Sequence, residues 1–315
     1  MKISGFSFVR NGVKLYYPVT EMIRSILPLV DEFVIAIGKG DADDTTRADI
    51  VAIGDDKIRI IDTIWEEKYF KKGISNAIQT DIALKECNGD WLFYLQADEV
   101  IHEKYLPVIK ARCQELLDKP EIEGLLFSYR HFWGDYHHYQ NGHGWYPHEI
   151  RIVRNQPEIH SYESAQSFRS FINYDNPRQP EGTRKLNVAS VDAEVYHYGW
   201  VRPPDLMVNK TKALETVHRG VKEADKMFRE RPDYFDYGPL NYLGIFEGTH
   251  PAVMEEMIAE LDWQEQLQMT GKPKSDRKLH KHERPKYRFY SWFEKTFNNG
   301  KQIGGFRNYH LLKNV

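Results

Sequence analysis

DWLFYLQADEV, residues 90–100, decides how this chain is read. Five apolar residues run unbroken from Trp91 to Leu95, and the run stops at Gln96, Asp98 and Glu99. A continuous apolar run of strand length fits a strand buried on both faces, as in a parallel sheet covered by helices. Its carboxyl end is then where a ligand site belongs.

Working outward, strand-like and helix-like segments alternate. ISGFSFV (3–9), EFVIAIG (32–38), KIRIID (57–62) and EGLLFSY (123–129) read as further strands. YPVTEMIRSILPLV carries Met22, Ile23, Ile26, Leu27 and Val30 at helical spacing. TTRADIVAIG reads as a short helix, and 74–87 as another with Ala77, Ile78, Ile82 and Ala83 on one face. This order predicts an α/β fold with a doubly wound, mostly parallel sheet. Beyond about residue 130 the pattern turns irregular and aromatic. A strand is expected over 188–201, a helix over roughly 205–230 after the RPP at 202–204, and an amphipathic helix over 251–267. The expected division is 1–205 as the ligand-binding domain and 206–315 as a helical, basic and aromatic extension.

The 315 residues are 41% hydrophobic and 28% charged, with a net charge of -3, which gives no reason to expect nucleic acid as a partner. Cys87 and Cys113 have no metal-ligand or CxxC spacing. No apolar stretch approaches a membrane span, and MKISGFSFVRNG lacks the apolar core of a signal peptide. The expected location is the cytoplasm, with the inner membrane face as an alternative.

The loops after the first two strands read RNGVKLYYP and GKGDADDTT. Neither is GxGxxG nor a P-loop, which argues against hydride transfer and P-loop phosphotransfer. Acids occupy the strand ends instead: Asp41, Asp43 and Asp44, then Asp98 and Glu99. Carboxylates repel phosphates unless a divalent cation, Mg²⁺ or Mn²⁺, lies between them. Solvated loop acids or helix caps are the plain alternative.

GDWLFYLQADEV resembles the segment of family-two glycosyltransferases, of GT-A fold, that usually reads G-D-W-hydrophobic-D-A-D-E. VRNG (9–12), the turn after 31–38, HEIRIVRN (148–155) and YHYGWVRPPDLMVNKT (196–211) follow in the family's order. The resemblance covers roughly 3–215. It implies transfer of a sugar, with inversion, from a nucleotide-diphospho-sugar to an acceptor hydroxyl on a carbohydrate or glycolipid. It also implies metal binding by Asp98, with His197 a second ligand. Val9, Arg10, Asn11, Asp43, Gln79, Asp81, Gln96 and Ala97 are the candidates for holding the nucleotide-sugar. Glu149 is the favoured general base, with Glu163 and Asp135 behind it. Gln96 stands where the family usually has Asp, and Gly38 where Asp often ends the second strand. Those departures keep a binding-only domain open as an alternative, beside a sugar nucleotidyltransferase. The histidines at 131, 137, 138, 143 and 148 read as a loop over the acceptor. The basic aromatic tail reads first as an appendage packed on the domain, and second as a dock for anionic membrane.

Overall fold

The computed structural model describes residues 1–305, 307–313 and 315. The first third alternates as the sequence predicts. Strand β1 (Ile3–Val9) leads to α1 (Val19–Ile26), β2 (Glu32–Gly38), α2 (Thr46–Ala52), β3 (Ile58–Thr63), α3 (Ile74–Lys85) and β4 (Trp91–Tyr94). These four strands are parallel and lie in the order β3-β2-β1-β4. The chain therefore winds one way from β1 to β3, then crosses back to place β4 on the other side of β1. The gap between the carboxyl ends of β1 and β4 is a topological switch point.

Both faces of this sheet are covered, which is why its strands are apolar without alternation. Phe33, Ile35, Ile37, Trp91, Phe93 and Leu95 point into one core. Phe6, Val34, Ala36, Leu92 and Tyr94 point into the other. A period of two thus sorts one continuous apolar run into two layers.

The second part is mixed. After β5 (Glu99–Ile101) and α4 (Leu106–Glu115) come β6 (Gly124–Trp133), β7 (Asp135–Tyr139) and β8 (His148–Arg154). Then follow β9 (Ile159–Tyr162), β10 (Ser167–Phe171) and the long β11 (Thr183–Trp200). The sheet continues β4-β8-β6-β11-β10-β9, with β8 antiparallel to both neighbours and β6 parallel to β11. The expected loop around 131–138 is a β6–β7 hairpin instead.

The expected helix over 205–230 is two, α5 (Pro204–Arg219) and α6 (Val221–Phe228), divided at Gly220, whose φ of 88° takes it out of the helix. The helix expected over 251–267 shrinks to α7 (Glu255–Ala259). Tertiary packing overrides its periodicity: Trp263 is fully buried, and its indole Nε1 donates to the Gly134 carbonyl at 2.8 Å. That anchor pulls the chain out of helical register. Met207, Tyr237, Leu240, Met254 and Trp263 share a core with Phe93 and Leu95. The last helix, α8 (Pro285–Phe297), lies against residues 142–145.

Candidate functional site

A cavity of about 790 Å³ opens at the switch point. One wall is made of strand ends: Val9, Arg10 and Asn11 after β1, and Gln96, Ala97 and Asp98 after β4. The opposite wall is α5, through Asn209, Lys210, Ala213, Thr216 and Val217. Trp65 stands at one end, with Trp145, Tyr146, Ser164 and Gln166 along the side.

The two neighbouring acids of the QADE turn part company. Glu99 is fully buried and clamps the turn. Its oxygens accept from Arg151 Nε and Nη2 (both 2.8 Å), the Tyr129 hydroxyl (2.8 Å) and the Gln96 amide N–H (3.0 Å). A buried ion pair survives only with its remaining polar atoms satisfied, and Arg151 also donates to the carbonyls of Ile150 and Gln166. Asp98 instead lines the cavity. Burial pushes its carboxyl up, but His197, Lys210 and Arg202 together outweigh burial and hold it below the usual carboxylate value.

His197 Nε2 lies 3.7 Å from Asp98 Oδ2, too far for a hydrogen bond. The tautomers follow from the chain of contacts. His131 Nε2 lies 2.8 Å from the Tyr146 carbonyl, which can only accept, so that nitrogen carries the proton. Burial drives the His131 pKa well down, so the ring is neutral and its Nδ1 is a lone pair. His197 Nδ1, 3.0 Å away, must donate to it. Burial lowers His197 against the opposing pull of Asp98 and Glu99. When the ring is neutral its Nε2 is a lone pair facing a carboxylate oxygen, and a cation between the two acceptors would satisfy both.

Gly199 keeps that space open. A Cβ there would come within 2.5 Å of Asp98 Oδ2 and 2.6 Å of His197 Nε2. Among the described residues no group of three or more His, Cys, Asp or Glu could hold a metal. One carboxylate and one imidazole fit a Mg²⁺ or Mn²⁺ whose other ligands are phosphate oxygens and water.

Lys210 is the residue that the sequence reading missed. It sits on α5 in step with Pro204, Met207 and Val217, on the buried side of the helix. Its Nζ donates to the Gly199 carbonyl at 3.0 Å and lies 4.7 Å from the Trp200 ring centroid. Burial, then Arg202, lower its pKa to about 8, with Asp98 opposing. A lysine in register with buried helix positions was the signal available.

Arg10 and Asn11 form the turn after β1. Asn11 adopts φ 53°, which Asn tolerates, and its Oδ1 accepts the Asp41 N–H at 2.8 Å. Asp41 lines the cavity and Asp43 does not, although Lys14 Nζ, itself in the lining, pairs with both, at 2.8 and 2.7 Å. Gly38 has no side chain because Trp65 occupies that place: a Cβ there would collide with the indole nitrogen. Gln96 Nε2 donates to the Ala165 carbonyl at 3.0 Å, a bond that an aspartate cannot make. It ties β4 to a turn in which Glu163 and Ala165 both have φ 58°.

Gln79 and Asp81 are buried on α3, outside the cavity. Gln79 accepts from the Thr63 hydroxyl at 2.5 Å. Asp81 joins α3 to β9 through His160 Nδ1 (3.0 Å) and the Ser161 N–H (2.8 Å). Asp135 is enclosed in the β6–β7 hairpin, where its Oδ1 accepts from the N–H groups of His137 (2.9 Å) and His138 (2.8 Å). Glu163 is half-exposed and 3.7 Å from Arg178 Nη2. Glu149 is buried on β8. Its Oε1 accepts from Gln166 Nε2 at 3.0 Å, and Gln166 lines the cavity. Among the described residues its Oε2 has no hydrogen-bond partner. Burial raises its carboxyl to about 7, against the pull of Arg151.

No protein-family model matches the chain, and no curated protein matches it. Among solved structures it is similar to TarS of S. aureus, with 13% identity and a TM-score of 0.39 over 73% of this chain and 42% of that one. TarS 1-349 in complex with UDP gives 14% identity and a TM-score of 0.36, over 73% of this chain and 70% of that one. Glucosyl-3-phosphoglycerate synthase of Mycobacterium tuberculosis, in complex with Mn²⁺, UDP and glucosyl-3-phosphoglycerate, gives 20% and 0.29 over 41% of this chain and 44% of that one. The chain thus spans less than half the length of TarS and of the synthase.

Proposed function

We propose that this chain is an inverting glycosyltransferase of GT-A type that moves a sugar from a nucleotide-diphospho-sugar to an acceptor hydroxyl. The observation that carries this is His197 Nε2 facing Asp98 across 3.7 Å at a switch-point cavity, with the Lys210 ammonium close by. An anionic wall and a cation on the opposite wall suit a diphosphate. Trp65 and the Arg10–Asn11 turn suit a base and ribose at one end. A Mn²⁺ or Mg²⁺ held by Asp98 and His197 would neutralise charge on the leaving diphosphate.

The chain's own residues do the rest. Lys210 holds a phosphate oxygen by a charge-assisted hydrogen bond. Gln96, held by Ala165, keeps its carbonyl oxygen free to accept from a ribose hydroxyl. Glu149 takes the acceptor proton as that oxygen attacks the sugar carbon from the face opposite the diphosphate. A carboxyl near pH 7 is tuned for that transfer. Glu149 lies behind the cavity lining, and Gln166, which is in the lining, links it to the cavity through a 3.0 Å hydrogen bond. The setting is surface polysaccharide or glycolipid synthesis, with a carbohydrate or glycolipid acceptor.

A thermal-shift panel tests the reading: UDP, GDP, CDP and dTDP, each with and without Mn²⁺, on wild type and Asp98→Ala. One nucleotide should raise the midpoint in a metal-dependent way, and Asp98→Ala should abolish the metal dependence. No shift with any nucleotide would sink the proposal.

A further inference from the structure

Helix α8 is amphipathic in the wrong sense for a packed helix. Its inward side is polar: Glu294 is buried and 2.7 Å from His143 Nδ1, and Ser291 Oγ accepts the His143 N–H at 2.8 Å. Its outward side is aromatic. Phe289 is 60% exposed, Trp292 55%, Phe293 37% and Phe297 64%. Steps of three and four residues put these rings on one stripe, and the rings touch one another, with Phe293 and Phe297 centroids 5.2 Å apart. A contiguous apolar patch of this kind on an otherwise polar surface marks an interaction face.

The charges select the partner. Between 281 and 301 the chain carries Lys281, Arg284, Lys286, Arg288, Lys295 and Lys301. Its two acids in that span, Glu283 and Glu294, are both buried and ion-paired, to Arg277 and His143. Within this span the exposed charges are therefore all cationic. Exposed Trp and Phe among unopposed Lys and Arg is the pattern of a helix lying in the interface of an anionic bilayer. Thirteen residues make a rod of about 20 Å, suited to lying in that plane. Among the described residues no helix is long and apolar enough to cross a membrane.

The helix is also mounted on the cavity. The 142–145 segment on which it packs carries Trp145, which lines the cavity, and Gln302 Nε2 donates to the Trp145 carbonyl at 2.6 Å. We propose that α8 docks this protein on an anionic phospholipid surface and so turns the Trp145 side of the cavity toward the membrane. Docking is separable from glycosyl transfer, because vesicles report it without donor or acceptor.

The test is sedimentation of the full chain with vesicles of phosphatidylcholine alone, or with about a third phosphatidylglycerol. Wild type should pellet with the anionic vesicles and be released by high salt. Phe289→Ser/Trp292→Ser and Lys286→Glu/Lys295→Glu should each weaken pelleting at least about tenfold, since each surface cation is worth roughly fivefold. All four side chains are exposed, so the thermal midpoints should match wild type. Absence of pelleting by wild type, or equal pelleting by both variants, overturns the proposal. So does a wild-type dimer in gel filtration that Phe289→Ser/Trp292→Ser dissolves while vesicles recruit nothing, which would assign the stripe to a second copy of the chain.

Discussion

The two walls of the cavity are opposite in character. The strand-end wall offers the Asp98 carboxylate with His197 Nε2 facing it, beside the Arg10–Asn11 turn. The α5 wall offers donors, Lys210 above all. Strand ends are rigid, fixed by the sheet and by the Glu99–Arg151 clamp, so they suit groups whose position decides chemistry. A helix laid across them suits a charge that need only be near. The difference suggests that changes on the strand wall act on turnover and changes on the helix wall act on affinity.

Three substitutions can break or sharpen that contrast. Glu149→Gln, on the strand side, should cut kcat about a hundredfold or more and leave donor affinity unchanged. Wild-type rate should climb with pH through about 7 as the carboxyl loses its proton. Stability should move the other way. The folded carboxyl holds its proton more tightly than the unfolded one, so this group's contribution is lost as pH rises from the ordinary carboxylate range to about 7. Thermal midpoints of the Gln variant should escape that loss. An unchanged kcat would remove Glu149 from the base role.

Lys210→Met should weaken nucleoside diphosphate binding about tenfold while monophosphate binding holds, read by calorimetry. If the preference for diphosphate survives, the helix wall has another function. Trp65→Ala should have the smallest effect, at most about tenfold, and should weaken mono- and diphosphate equally, because stacking sees only the base. A loss confined to the diphosphate would move the base elsewhere.

What was legible in the sequence followed the same divide. Apolar runs such as Trp91–Leu95 mark buried parallel strands, and a strand end marks a site, so pattern pointed to Gln96–Asp98, while Val9–Asn11 came from the resemblance; all six line the cavity. The choice of Asp43 over Asp41 depended on the turn set by Asn11, which composition does not encode. Gln79 and Asp81 looked like groups on an open helix face, but β9 and Thr63 cover them, contacts between segments distant in sequence. Lys210 was hidden because a lysine on a helix is normally a solvated charge. Nothing local foretold that Trp263 would leave its helix to reach Gly134.

The Gln96 tether has a consequence for anyone redesigning this centre. Writing an aspartate at 96 looks like a simple way to add charge for a tighter cation site. It would remove the donor that holds the Ala165 carbonyl and set a carboxylate against that oxygen instead. The turn it releases contains two left-handed non-glycine residues, each strained by about 1–3 kcal/mol and kept only by its surroundings. An acid at 96 would loosen the wall it was meant to strengthen, because the side chain that would add charge is the one that pins the neighbouring turn.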